Sequence, residues 1–149
     1  MANQPLFRIP LFERLSDDAP AKPEATPLRR YAQDAALASI CTELSHLLNT
    51  RRSSTPWQEN YSVLDYGIAD WSSFKSGFEE DRRKLIKDIR LAISLFEPRL
   101  KNPQVELLAM NSQTSALRIS AELAGHAGQR AVLCISPIAE GVKIEIEGE

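Results

Sequence analysis

The sequence predicts an α+β fold, in which two main helices pack on one face of a four-stranded, mainly antiparallel sheet behind a proline-rich N-terminal arm. Two observations lead to this prediction. In two stretches before Pro98, apolar residues recur every three or four positions, which indicates helices. Beyond Pro103, apolar residues alternate with polar ones, and short links between the alternating stretches favour an antiparallel meander.

The N-terminal segment has the composition of an arm rather than of a core. Residues 20–27 read PAKPEATP, and their three prolines favour an extended linker. A short apolar cluster, LFRIPLFERL, precedes this linker at residues 6–15. We therefore predict an arm and linker over residues 1–28 and a single domain over residues 29–149.

The first helix is predicted from Arg29 to about Leu48, with an apolar stripe of Leu37, Ile40, Cys41, Leu44, Leu47 and Leu48. The second helix follows Ser76 and Glu79, which have the spacing of a capping box. Its apolar face consists of Leu85, Ile86, Ile89, Ala92, Ile93 and Phe96. Its charged remainder consists of Arg82, Lys84, Lys87, Asp88 and Arg90. Pro98 is expected to end it, because proline moves the preceding residue out of helical backbone space.

Residues 49–73 have no regular period but contain many large side chains: Trp57, Tyr61, Leu64, Tyr66, Ile68 and Trp71. Such bulk predicts a loop that packs against the core. Gly67 is expected to take a positive φ at a sharp turn. Asp70 is expected to cap a short turn from Trp71 to Phe74.

The four strands are predicted where alternation is clearest. Their positions are Val105 to Ala109, Leu117 to Leu123, Arg130 to Ser136 and Val142 to Glu147. The third strand is the most apolar, so we place it in the interior of the sheet. In the fourth, the apolar residues Val142, Ile144 and Ile146 alternate with charged ones. If that strand lies at an edge, its backbone groups are able to pair with another chain, although its charges favour a protected edge.

Composition excludes several classes of function. A formal net charge of −2 lacks the basic excess expected of a nucleic-acid binder, so no nucleic-acid partner is expected. The sequence has no apolar run long enough to span a membrane and no signal-peptide pattern, which predicts a cytosolic protein without direct membrane insertion. Cys41 and Cys134 are expected to be buried free thiols. The chain has no metal-ligand or phosphate-loop motif, so we expect no cofactor and no metal.

One pair of acids keeps an enzymatic alternative open. Asp65 and Asp70 lie among aromatic residues, an arrangement compatible with a peptidoglycan-cleaving, muramidase-like site. The competing interpretation is that Asp70 caps a turn and that the aromatic residues pack the loop onto the core. The sequence does not give the distance between the two carboxylates.

The stretch LFEPRL, residues 95–100, places an acid and a base around the proline that ends the second helix. An acid is unfavourable at the negative end of the helix dipole, so Glu97 needs a compensating partner. An exposed pair with Arg99 would contribute little stability. From these residues alone, the two charges either solvate the corner at the end of the helix or contact another protein.

Four short motifs occur in an order that resembles the TssE family. They are LFERL at 11–15, LLNTRR at 47–52, LDYGIAD at 64–70 and FEPRL at 96–100. TssE proteins are baseplate subunits of bacterial type VI secretion systems, related to a contractile-phage baseplate wedge protein once labelled a lysozyme. The resemblance extends from about Pro10 to the final strand.

The resemblance implies a structural role in a cytoplasmic baseplate that is assembled near the inner membrane. It implies TssF and TssG as wedge partners, with TssK as a further candidate, and a sheet on which the TssB/TssC sheath begins to polymerise. It implies that Glu97, Pro98 and Arg99 contact wedge components, so we expect Glu97 and Arg99 to matter more for assembly than for stability. It also makes Val142, Ile144 and Ile146 a candidate partner-binding edge. No hydrolase activity is expected. A cytosolic adaptor domain unrelated to secretion is the third hypothesis.

Overall fold

The computed structural model describes residues 7–8, 30–31, 33–52, 62–70, 79–109, 115–124, 128–138 and 141–147. The chain divides into two compact units, Met1–Ser39 and Ile40–Glu149. In the first unit, β1 (Phe7–Arg8) pairs antiparallel with β2 (Arg30–Tyr31). Apart from β1, the predicted arm and linker lie outside the described residues, and the predicted boundary after residue 28 stays a prediction.

Two long helices are present, as the periodicity predicts. Helix α1 spans Gln33–Asn49 and helix α2 spans Glu79–Phe96. The predicted start of α1 at Arg29 is wrong, because Arg30–Tyr31 pairs as β2 instead of continuing the helix. The end of α2 before Pro98 is confirmed, whereas the proposed cap at Ser76 lies outside the described residues.

Four strands follow in a simple meander. They are β3 (Leu100–Ala109), β4 (Ser115–Leu123), β5 (Arg130–Ile138) and β6 (Gly141–Ile146), and they are antiparallel in the order β3-β4-β5-β6. The α+β fold class and the interior position of the third strand are confirmed. The strand β3 begins before Pro103, earlier than predicted. A register irregularity between Lys101 and Gln104 accommodates this proline, which has no backbone N–H to donate.

One face of the sheet is apolar and buried, and the other is polar. Leu117, Ile119, Leu133 and Ile135 are fully buried on the first face. Ile40, Leu44 and Leu47 of α1 and Ile89 and Ile93 of α2 are fully buried as well. Within the described residues, α2 packs along β3. Burial on one face of each element explains why periodicity located them.

The two cysteines are free, as predicted, but they are half-buried rather than fully enclosed. Burial raises the pKa of the Cys41 thiol. A hydrogen bond from the Cys134 thiol to Glu147 raises the pKa of Cys134. Both thiols therefore favour the protonated, less nucleophilic form. Among the described helices, none has the length and hydropathy needed to cross a membrane.

Candidate interaction site

Two of the motif segments, residues 47–52 and 64–70, are paired side by side. The N–H of Ile68 donates to the carbonyl of Thr50 at 3.0 Å, and the N–H of Arg52 donates to the carbonyl of Ile68 at 2.8 Å. Gly67, just before this short parallel bridge, has a φ of 109°, as predicted. A Cβ atom at Gly67 would lie 2.4 Å from the carbonyl oxygen of Thr50. The close approach of the two segments therefore requires glycine at this position.

A single acid of α2 joins the paired segments to the helix. The carboxylate of Asp88 accepts a hydrogen bond from the Arg52 guanidinium through Oδ1 and one from the N–H of Ala69, at 2.8 Å, through Oδ2. The side chains of Arg52 and Asp88 are mostly buried, at 15% and 16% exposure. The sequence pattern places Asp88 on the charged remainder of the helix. Asp88 stands just before the buried Ile89, at the rim of the apolar face. This position in the helical pattern could have indicated that Asp88 contacts another segment.

The two acids of the enzymatic alternative have separate structural partners. Asp65 is buried and closes a capping box, in which its Oδ2 accepts from the N–H of Ser62 at 2.8 Å. Asp70 lies 3.3 Å from the guanidinium of Arg51, and both side chains are substantially exposed. The turn from Trp71 to Phe74, which Asp70 is predicted to cap, lies outside the described residues, as does Trp57.

Tyr66 connects the loop to the end of α2. Its ring meets Phe96 edge-on, with ring centroids 5.2 Å apart. Burial raises the pKa of Tyr66, and the negative charges of Glu43 and Glu97 raise it further. Tyr66 thus brings the third motif into contact with the fourth.

The fourth motif forms a compact corner between α2 and β3. The N–H of Leu100 donates to the carbonyl of Glu97 at 3.1 Å, which makes residues 97–100 a β-turn with Pro98 in its second position. Glu97 Oε1 accepts from Nε of Arg99 at 2.7 Å and from its backbone N–H at 3.2 Å. Glu97 Oε2 accepts from Nη2 of Arg99 at 2.6 Å. The pair is bidentate, the strongest arrangement of these two groups.

The corner is buried, so the expectation of an exposed pair is wrong. The side chains of Glu97 and Arg99 are 3% and 13% exposed. The acid at the end of α2 is stabilised within its own turn, because the arginine two residues later folds back onto it. The carbonyl of Arg99 also accepts from the N–H of Ala124 at 2.8 Å, which joins the turn to the end of β4. Pro98, between the two charges, is exposed.

The other candidate site is β6, an edge of the described sheet. The N–H of Glu147 donates to the carbonyl of Val132 at 2.8 Å, so the backbone groups of Glu147 point toward β5. This direction alternates along an antiparallel strand, so Val142, Ile144 and Ile146 direct their backbone groups away from β5. Within the described ranges, no hydrogen bond covers the outward N–H and C=O groups of these three residues.

The side chains of β6 have a different role from its backbone. Val142 is buried, Ile144 is half-buried and Ile146 is 46% exposed, and all three lie on the apolar face of the sheet. Lys143 and Glu145 lie on the polar face and pair with each other at 2.6 Å. The predicted partner-binding residues therefore present mainly backbone groups along the edge, together with the exposed side chain of Ile146.

The opposite edge, β3, is partly covered. The direction of the backbone groups alternates along β3 as it does along β6. From the strand registers, the carbonyl of Leu107 points away from β4. Nη2 of Arg82, on α2, donates to this carbonyl at 3.0 Å. Pro103 offers no N–H at all. Within the described chain, β6 is thus the more open of the two edges.

Comparison with known proteins identifies the family. The sequence profile of a family described as baseplate wedge protein gp25 matches residues 34–127. This range contains the Arg52–Asp88 contact, the Glu97–Arg99 corner, β3 and β4, and it ends before β5. It is narrower than the resemblance from Pro10 to the final strand. A search of curated proteins found no match. The profile match covers more than half of the sequence, and the chain belongs to the gp25 baseplate wedge family, the family of the TssE-like proteins.

Proposed function

We propose that this chain is a non-enzymatic subunit of a type VI secretion baseplate, which docks on wedge subunits and provides the first template for the sheath. Membership of the gp25 family supports a structural role in the baseplate of a contractile injection machine. The proposed wedge partners are TssF and TssG, with TssK as a further candidate. The proposed sheath partners are TssB and TssC. The proposed location is the bacterial cytoplasm, at a baseplate near the inner membrane.

The difference between the two sheet edges supports the templating step most directly. An incoming strand is able to bond to the outward backbone groups of Val142, Ile144 and Ile146 and thereby to extend the sheet. At the other edge it would have to displace Arg82 from the carbonyl of Leu107. We therefore assign sheath initiation to β6.

The corner between α2 and β3 is the proposed wedge contact. Glu97 and Arg99 fix the turn from within, and the exposed surface that they support is Pro98. Leu95, three residues earlier, is 41% exposed. A rigid turn with exposed apolar atoms loses little conformational entropy when a partner packs on it. In this proposal Glu97 and Arg99 hold the turn in place, and the wedge subunit packs on Pro98 and the exposed surface around it.

The templating step predicts a specific effect of proline at the end of β6. Ile146→Pro removes an N–H that points away from β5, so the existing ladder keeps its hydrogen bonds while an incoming strand loses one. Ile146→Val keeps the N–H and a β-branched side chain, and it serves as the matched control. In the host bacterium, we expect Ile146→Pro to abolish fluorescent sheath assembly and Ile146→Val to preserve it.

Binding to wedge subunits distinguishes a specific defect in sheath assembly from a general loss of folded protein. Both variants should still co-purify wedge subunits, because the Glu97–Arg99 corner is distant in sequence from the substitution and intact. Sheaths of normal number and length in the Ile146→Pro strain would refute the assignment of the template to β6.

The muramidase alternative makes the opposite biochemical prediction. The capping role of Asp65 and the ion pair of Asp70 favour structural roles for both acids. Purified chain incubated with peptidoglycan should therefore release no reducing ends above a buffer control. Release that is lost in an Asp70→Asn variant of unchanged stability would establish the enzyme and contradict the non-enzymatic proposal. A cytosolic adaptor domain unrelated to secretion, the third hypothesis, would fail to co-purify sheath and wedge proteins.

A further inference from the structure

Two exposed side chains of opposite charge flank the open backbone edge of β6. Lys143 and Glu145 are neighbours on the polar face and bind each other, and each side chain is 60% exposed. Exposed charges of this kind are able to exchange partners at little cost in desolvation. Next to them, the outward backbone groups of Val142, Ile144 and Ile146 form an open edge.

Two antiparallel copies of β6 have few possible registers, because outward groups must meet outward groups. With Ile144 opposite Ile144 of the second copy, Lys143 of each copy stands directly opposite Glu145 of the other. Opposite charges in such facing positions stabilise strand pairing, and like charges destabilise it. The same register places Val142 opposite Ile146, so that the exposed part of Ile146 is covered.

The neighbouring registers are less favourable. A shift of the pairing in one direction places Lys143 opposite Lys143 of the second copy. A shift in the other direction places Glu145 opposite Glu145. It also directs Lys143 toward Glu147, which is already bound by Arg118 at 2.7 Å and by the thiol of Cys134 at 2.8 Å. The charge pattern therefore selects the register that is centred on Ile144.

We propose that a second copy of this chain pairs antiparallel along β6, with Ile144 opposite Ile144, and forms a weak dimer. Six residues of strand give a contact below the roughly 1,200 Å² of a standard stable interface, so the dimer forms only at high concentration. The inference does not depend on the proposed sheath role. If both hold, the dimer protects the edge until a sheath strand replaces the second copy.

Charge reversal tests the register without disturbing the core, because both side chains are exposed. In Lys143→Glu, acids face acids across the dimer, and in Glu145→Lys, bases face bases. We expect each variant alone to dimerise at least about tenfold more weakly than the natural chain. An equimolar mixture of the two should form a heterodimer, because every facing pair is again of opposite charge.

Sedimentation equilibrium of the purified full chain at low ionic strength measures these states, and circular dichroism checks that each variant is folded. Concentration-dependent dimers of the natural chain, their loss in each single variant and their return in the mixture would support the proposal. A natural chain that stays monomeric to the highest soluble concentration would overturn it. Single variants that dimerise as well as the natural chain would overturn it too, since the contact would then lie elsewhere.

Discussion

Replacing Arg99 with alanine should lower the free energy of unfolding by about 3 kcal/mol, because removal of one partner leaves a buried carboxylate unpaired. Glu97 receives three hydrogen bonds from Arg99, two from its guanidinium and one from its backbone N–H. The backbone bond survives in the variant, but the charge of Glu97 loses its counter-ion in a site that is 2% exposed. Urea denaturation followed by circular dichroism measures the loss.

An exposed pair on the same protein provides the control for Arg99. Arg83 and Glu79 lie 3.3 Å apart on α2, at 78% and 64% exposure. Arg83→Ala should cost less than about 0.5 kcal/mol, as is usual for exposed pairs one helical turn apart. Equal stability of the Arg83→Ala and Arg99→Ala variants would contradict the structural role of the corner.

A loss of stability in Glu97 or Arg99 variants would also reduce their binding to wedge subunits, so it affects how any binding test at the corner is interpreted. If Glu97 and Arg99 mattered more for assembly than for stability, charge reversal at either residue would leave folding nearly intact. The buried geometry predicts that Arg99→Glu loses both stability and wedge binding, because two carboxylates would then meet in one buried turn. Wedge binding should therefore be compared with stability for each variant.

Replacing Gly67 with alanine should be equally disruptive, with an expected loss of about 3 kcal/mol from backbone strain and steric overlap together. The residue has a φ of 109°, and its new Cβ would overlap the carbonyl oxygen of Thr50. The backbone atom cannot move without breaking its bond to the N–H of Ile68. Thermal or urea denaturation of the variant tests this expectation.

Gly128 is the matched control, because it also has a positive φ, of 89°, but a Cβ there would meet no atom of the described residues within 4 Å. Gly128→Ala should cost only the strain of the left-handed backbone, about 1 kcal/mol. The difference between the two variants measures the overlap alone. A Gly67→Ala variant no less stable than Gly128→Ala would show that the two paired segments separate easily.

Sequence patterns predicted those parts of the fold in which burial repeats along the chain. The faces of α2 and of β4 to β6 follow this rule, since each buries one side against the core. The start of α1 was predicted wrongly, because Arg30 pairs with Arg8, and periodicity does not reveal a contact between residues so far apart in the sequence. The start of β3 was missed because proline usually interrupts a strand, and the sequence shows neither the edge position of β3 nor its register irregularity, both of which allow a proline there.

The candidate site was less predictable than the fold. Sequence identified Glu97, Pro98 and Arg99, but burial of the pair depends on how the turn folds back and packs against β4. The contact of Arg52 with Asp88 spans 36 residues, so the position of Asp88 at the rim of the apolar face does not reveal which residue it binds. The openness of β6 and the cover that Arg82 provides at β3 follow from strand order and helix placement, which are properties of the folded chain.

We propose that the outward backbone groups of β6 become hydrogen-bonded when the sheath begins to assemble. Amide hydrogen exchange tests it residue by residue, with the free chain kept dilute so that self-association does not interfere. In the free chain, the N–H groups of Val142, Ile144 and Ile146 should exchange quickly, while those of Lys143 and Glu145, directed toward β5, should be protected. In the assembled baseplate with sheath, the first three should become protected as well. Continued fast exchange of Val142, Ile144 and Ile146 in that assembly would contradict the account.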